Sequence, residues 1–334
     1  MTEVLQLPGV WTWAFDHLVG YCAAAIANTH GFEVRLRWTD SLESHVELSG
    51  VSWEDLASAV HQHAVDHSDG SWIQADGQIN EQSKALFSPR VPAMDAEKQR
   101  EWFQNREEHI DDLTSGWQSL DNAFIGALGI PSYWSHNPQG DPLPDWGASR
   151  WEMKTRNRGE EFVGNRLRKL ATAVANRTPS SVERGLRGQS SVDEVGANKP
   201  DSRTPTGLMP PRATDNAQAW CALWGLSLFS VIPMQYGASA TTGHVGPPSE
   251  GLFYLPLMTQ WWPLGRLRTV LCSQQLKSMV DTVTQPNSSA RRMASQWLLD
   301  RGVIFVAAFP IYRGGSKSAP ERWAGIGHRT LLEI

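Results

Sequence analysis

Cysteine is nearly absent from this chain. Cys22, Cys221 and Cys272 are its only three in 334 residues, far apart, odd in number and set among apolar neighbours. That pattern argues against a disulfide framework or a cysteine zinc site and predicts three buried free thiols. Long apolar runs are missing too, and nothing approaches the roughly 18 consecutive apolar residues of a membrane span. Met1–Gly9 has no basic start and the apolar stretch Val19–Ala27 has no basic flank, so a cytoplasmic protein without a secretory leader is expected. There is no GxxxxGK(S/T) loop, no strand–GxGxxG–helix unit and no GxSxG elbow. The carboxylates of 107–112 read as a solvated charge run. The expectation is a non-enzymatic protein with no catalytic residue, no metal and no cofactor.

Tyrosine is scarce at 5, whereas tryptophan reaches 16. Each indole buries a large apolar body and keeps one N–H to place, so most are expected as core anchors and a few as stacking surfaces. Charge is divided by position. Residues 1–149 carry 7 Lys/Arg against 22 Asp/Glu, residues 150–212 carry 13 against 7, and residues 213–334 carry 10 against 6. A chain that is acidic overall therefore has a basic second half, and a polyanion responds to the local field rather than to the isoelectric point.

Patterning predicts an α+β fold, with a mixed sheet-and-helix N-terminal lobe and a more helical C-terminal half. The expected divisions are an acidic lobe over 1–150, a basic helix with a mobile loop over 151–215, and a basic lobe over 216–334. Residues 16–29 are apolar nearly all round and predict a buried helix closed by Gly31. Phe32, Val34, Leu36 and Trp38 alternate with Glu33, Arg35 and Arg37, which predicts a half-buried strand. Val46 and Leu48 suggest its neighbour, and Ser52 with Asp55 caps a following helix. Helices are expected over 95–113, 119–128, 160–176, 216–231, 266–283 and 288–301, and strands over 252–258 and 303–309. Residues 178–214 hold little apolar area and predict a mobile loop. Residues 312–320 predict a turn.

Three clusters invite chemistry. His61, His63 and His67 lie on one predicted helix, with His63 and His67 one turn apart, as a zinc site needs. No Glu completes an HExxH motif, and Asp66 and Asp69 suit a solvated helix end instead. Arg150, Lys154, Arg156, Asn157 and Arg158 precede the helix carrying Arg166, Arg168 and Lys169, and helix-start amides with basic side chains favour phosphate. Asn157 between two arginines suits a base edge. Arg313 and Lys317 flank Gly314 and Gly315, which let a backbone approach a ligand closely. Arg184, Arg187, Lys199 and Arg203 in the predicted loop complete the candidate nucleic-acid contacts.

The order of several segments resembles a known family. GYCAAAIANTHGFEVRLRW (20–38), NAFIGALGIPSYW (122–134), WCALWGLSLFSVIP (220–233), LFYLPLMTQWWPLGRLRTVL (252–271) and ASQWLLDRGVIFVAAFPIYRGGS (294–316) look like the large subunits of type I CRISPR Cascade surveillance complexes, nearest the type I-G (formerly I-U) group. The segments span most of the chain and are apolar packing stretches rather than catalytic signatures. The resemblance implies a subunit that probes double-stranded target DNA for the protospacer-adjacent motif, aids strand separation and docks a helicase-nuclease supplied in trans. Its implied partners are the guide-RNA-containing Cascade subunits, with base pairing reading the target. Two other classes stand beside it: a metal-dependent hydrolase using His61, His63 and His67, and a nucleic-acid-free scaffold.

Overall fold

The structure, a computed structural model, describes residues 3–79, 82–114, 119–152, 162–196, 206–234, 237–247, 250–281, 288–315 and 320–332. In chain order the first elements are β1 (Val4–Gln6), α1 (Ala14–Thr29), β2 (Arg35–Trp38), β3 (Val46–Ser49), α2 (Trp53–Ser68), β4 (Asp76–Ile79), β5 (Gln82–Ala85), α3 (Ala96–Thr114) and α4 (Ser119–Leu128). A π-helical turn, Val163–Leu167, leads into α5 (Arg168–Ala175), followed by α6 (Pro179–Leu186) and α7 (Asn216–Trp224). Then come β6 (Val231–Ile232), β7 (Ala240–Thr241), β8 (His244–Val245), β9 (Leu252–Met258), β10 (Trp262–Pro263), α8 (Leu264–Leu271), α9 (Gln274–Ser278) and α10 (Ser288–Leu299). Strands β11 (Val303–Gly315), β12 (Pro320–Ala324) and β13 (His328–Leu331) close the chain.

Helix α1 is the axis of the molecule. Every residue from Ala14 to Ala27 is buried, as its all-round apolar sequence dictates. One side lies on a four-stranded antiparallel sheet ordered β1-β3-β2-β10, the other on α7. Gly20 makes the sheet contact possible, because a Cβ there would stand 2.6 Å from the Val46 side chain. The strand alternation delivers Leu36, Trp38, Val46 and Leu48 to the core and leaves Arg35 and Arg37 outside. Gly31 follows α1 with φ of +89°, the left-handed conformation its sequence position predicts. The Ser52 hydroxyl accepts the Asp55 N–H at 3.1 Å and starts α2.

The second sheet is also antiparallel, ordered β12-β11-β9-β8, with β13 paired to β11 as well. Its spine, β11, pairs with β9 over Val303–Pro310 and with β12 over Ile311–Gly315. The Tyr21 hydroxyl of α1 donates to Pro256 O of β9 and ties the two sheets together. Among the described residues nine tryptophans are buried: Trp11, Trp38, Trp53, Trp72, Trp102, Trp151, Trp220, Trp224 and Trp262. Trp151 lies between Phe229 and Phe253, with ring centroids at 4.4 and 3.9 Å.

The fold is α+β, but several expectations change in detail. The C-terminal half holds the larger sheet, and the longest helices, α1, α2 and α3, lie in the N-terminal half. Strand β10 pairs with β2 across some 220 residues, and one apolar cluster draws on all three charge stretches. The charge boundaries near 150 and 215 are therefore not packing boundaries. Within the stretch expected as a mobile loop, Pro179–Leu186 forms α6, capped by Thr178 and buried through Val182 and Leu186. Two well-placed apolar residues suffice there, although mean apolar content is low. The helix expected over 266–283 is two helices broken at Cys272–Ser273, and that expected over 216–231 ends its α-helical part at Trp224. Arg313 lies in a strand, not a turn. Cys272 is exposed, while Cys22 and Cys221 are buried. Among the described residues no helix is long and apolar enough to cross a membrane.

Candidate nucleic-acid interface

The predicted phosphate contacts divide into three groups. Lys154, Arg156, Asn157, Arg158, Lys199, Arg203 and Lys317 lie outside the described residues. A second group is held by the protein itself. Arg150 is buried and donates to Ala148 O, and Arg166 is buried on the π-helical turn with its guanidinium on Thr206 O. The turn rotates Arg166 inward, which a regular 3.6-residue count does not anticipate. Arg168 donates to Ile73 O and pairs with Asp76 at 2.7 Å. Burial disfavours the Asp76 carboxylate, but hydrogen bonds from Arg168 and Ser83 outweigh it and hold its pKa below the ordinary value. Arg187 pairs with Glu183 one turn back and covers the Trp53 ring at 4.6 Å. The third group is exposed: Lys169, Arg184 and Arg313, the last facing Glu250 at 3.2 Å.

A basic surface missed by the sequence reading forms where β2 meets β10. Arg35 and Arg37 project from the outer face of β2. The register sets Leu36 opposite Trp262 and Arg35 opposite Pro263, which brings Trp261 beneath the Arg37 guanidinium at 4.4 Å. Trp262 donates its N–H to Arg301 O, and the Arg301 guanidinium lies 3.6 Å from the Trp297 ring. Exposed Arg266 stands 6.0 Å from the Trp262 ring. Arg37 pairs with Glu47; Arg35, Arg266 and Arg301 pair with no carboxylate among the described residues. Arg35, Arg37 and half-exposed Trp261 thus share the outer face of the β2–β10 pair, and Arg266, Arg301 and half-exposed Trp297 surround the neighbouring buried Trp262. Such a combination suits phosphates and base faces. The only sequence signal was the Arg-Leu-Arg-Trp alternation, which marks a strand and says nothing of its distant partners.

The histidines do not converge. His61 faces Ala175 O at 3.2 Å on one side of α2. His63 and His67 lie on the other side and are buried, contrary to the solvated helix end expected from Asp66 and Asp69. The Trp220 N–H donates to His63 Nδ1 at 3.1 Å. His67 is held by His63 O and by Asp121 Oδ1, each at 2.6 Å, and the Trp72 N–H reaches the same carboxylate oxygen at 2.7 Å. Burial, reinforced by neighbouring His67, pushes the His63 pKa well below its ordinary value. The period of α2 explains the split: positions 61 and 63 point to opposite sides, while 63 and 67 share a face. Among the described residues no group of three His, Cys, Asp or Glu side chains is arranged to hold a metal ion. Set against known protein families and curated proteins, the chain matches no family model and no curated protein.

Proposed function

We propose that this chain is a non-catalytic subunit of a cytoplasmic, RNA-guided DNA-recognition assembly. It would probe duplex DNA for a short motif, aid strand separation and offer a dock for a helicase-nuclease, as its resemblance to type I large subunits implies. The observation that carries the reading is the set of guanidiniums and indoles around the β2–β10 pair, Arg35, Arg37, Arg266 and Arg301 with Trp261 and Trp297. Lys169, Arg184 and Arg313 add exposed cations elsewhere in the basic half. Guanidiniums that pair with no carboxylate among the described residues, as at Arg35, Arg266 and Arg301, neutralise phosphates, and a flanking indole offers a stacking face once bases separate. The acidic first 149 residues leave surface for protein partners.

The test is target-DNA binding by the complex assembled with guide RNA, measured across a salt series. One variant carries R35E, R266E and R301E; a second carries K169E, R184E and R313E. Each lost phosphate contact should weaken binding and lower the log–log salt slope by about one. Unchanged affinity and slope in both variants would overturn the reading.

A further inference from the structure

A cleft of about 390 Å³ opens between the start of α1, the loop after α6 and the segment leading into α7. It includes none of the basic residues discussed above, and its argument is independent of DNA probing. Among the described residues Arg212 is the one Lys or Arg in its lining. The Arg212 Nε contacts Met209 Sδ at 3.0 Å, and the guanidinium stands 5.6 Å from the Trp13 ring. Its two terminal nitrogens make no hydrogen bond or ion pair with any described residue. The Trp13 indole is half-buried, so part of it faces the cleft.

Opposite Arg212 runs the loop from Gly188 to Ser191. Gly188, with φ of +69°, turns the chain back, and the Ser190 hydroxyl ends up out of solvent without a hydrogen-bond partner. Two carboxylates border the space. Asp215 is committed to Arg177 and to the start of α7. Asp16 accepts the Val10 N–H at 2.9 Å and is otherwise faced by the charges of Arg212 and His45. The cleft therefore presents a free planar fork of donors and an aromatic face, within the size range of small-ligand sites.

We propose that this cleft binds a phosphate monoester bearing a planar base, either a free nucleoside monophosphate or the 5′-phosphorylated end of an oligonucleotide. The Arg212 fork matches two phosphate oxygens, which a lysine would not do. Trp13 stacks the base. Asp16 makes the site pH-sensitive. Burial raises its pKa to about 6, so above that pH its negative charge opposes the phosphate, whose own second proton titrates in the same range at about 6. D16N isolates the Asp16 contribution.

The experiment is calorimetric titration of the full chain at pH 5.5, 6.5 and 7.5 with AMP, adenosine, inorganic phosphate, and dinucleotides with and without a 5′-phosphate. AMP should bind at least about tenfold more tightly than adenosine or phosphate alone, because both halves of the site are then occupied. R212Q changes an exposed residue and should abolish that advantage. D16N should tighten AMP binding at pH 7.5. A phosphorylated dinucleotide binding as well as AMP assigns the site to a strand end; AMP binding alone assigns it to a free nucleotide. Absence of AMP binding at every pH, AMP binding no tighter than phosphate, or an unaffected R212Q would each overturn the proposal.

Discussion

Asp16 and His17 are neighbours on α1 whose burial has opposite consequences for stability. Asp16 has its pKa raised to about 6, chiefly by burial, against an ordinary carboxyl value of 3.8. The unfolded chain gives up this proton first, so the contribution of Asp16 is fully present below pH 3.8 and is lost as the pH rises through 6. His17 is held neutral by burial, its pKa lowered to about 3, and His244 behaves alike. Their stabilisation is full above the ordinary histidine value of 6.5 and is lost as the pH falls from there towards 3. D16N should therefore stabilise the protein at pH 7.5 by up to about 3 kcal/mol and have little effect at pH 4. Urea unfolding at the two pH values checks this; an equal effect at both would contradict it. Arg177 offers a second residue-scale case. It grips Glu194 with two nitrogens and Asp215 with a third, at 2.6–2.8 Å, and the Asp215 side chain is 1 % exposed. R177A strands that buried carboxylate and should cost about 3–5 kcal/mol in urea unfolding.

At the scale of elements, close packing depends on what is left out. G20A would insert a Cβ 2.6 Å from Val46 where α1 crosses β3. Overpacking of that kind costs about 1–3 kcal/mol, while the better helix propensity of alanine returns up to about 1. A net loss of about 1–2 kcal/mol in unfolding free energy is expected. Helix α6 depends on its ends and two apolar anchors. Thr178 Oγ1 accepts the Ser181 N–H at 3.2 Å, and Pro179 occupies the first turn, where no N–H is needed. T178A should cost about 1 kcal/mol. The same variant should speed amide exchange in Ser180–Leu186 while leaving α1 protected, because α6 is a short helix packed chiefly on its neighbours α2 and α7 and α1 lies in the centre of the core.

For the whole molecule, acidic and basic stretches share one hydrophobic core, so the charge division is a property of surfaces and not of separable lobes. Wild-type DNA affinity should fall steeply between about 50 and 200 mM salt if several guanidiniums contact phosphate together. The number of contacts follows from the slope, and the two charge-reversal variants assign that slope to the β2–β10 surface or to the other exposed cations.

The sequence by itself determined the elements whose signal is local. All-round apolarity made α1, alternation made β2, the Ser52–Asp55 pair started α2, and tryptophan abundance foretold an indole-rich core. It could not show how distant segments meet. Whether Arg35 and Arg37 face solvent alone or beside Trp261 depends on a strand pair some 220 residues apart. Arg166 became buried because one π-helical turn shifts its direction, and His63 and His67 became core residues because Trp220, Trp72 and Asp121 close over them. The Arg212 cleft joins three separate stretches of chain, none of which carries a motif. In each case a side chain's local pattern set the element it sits on, and long-range packing decided what it touches, since burial and charge pairing depend on neighbours that only the tertiary fold supplies.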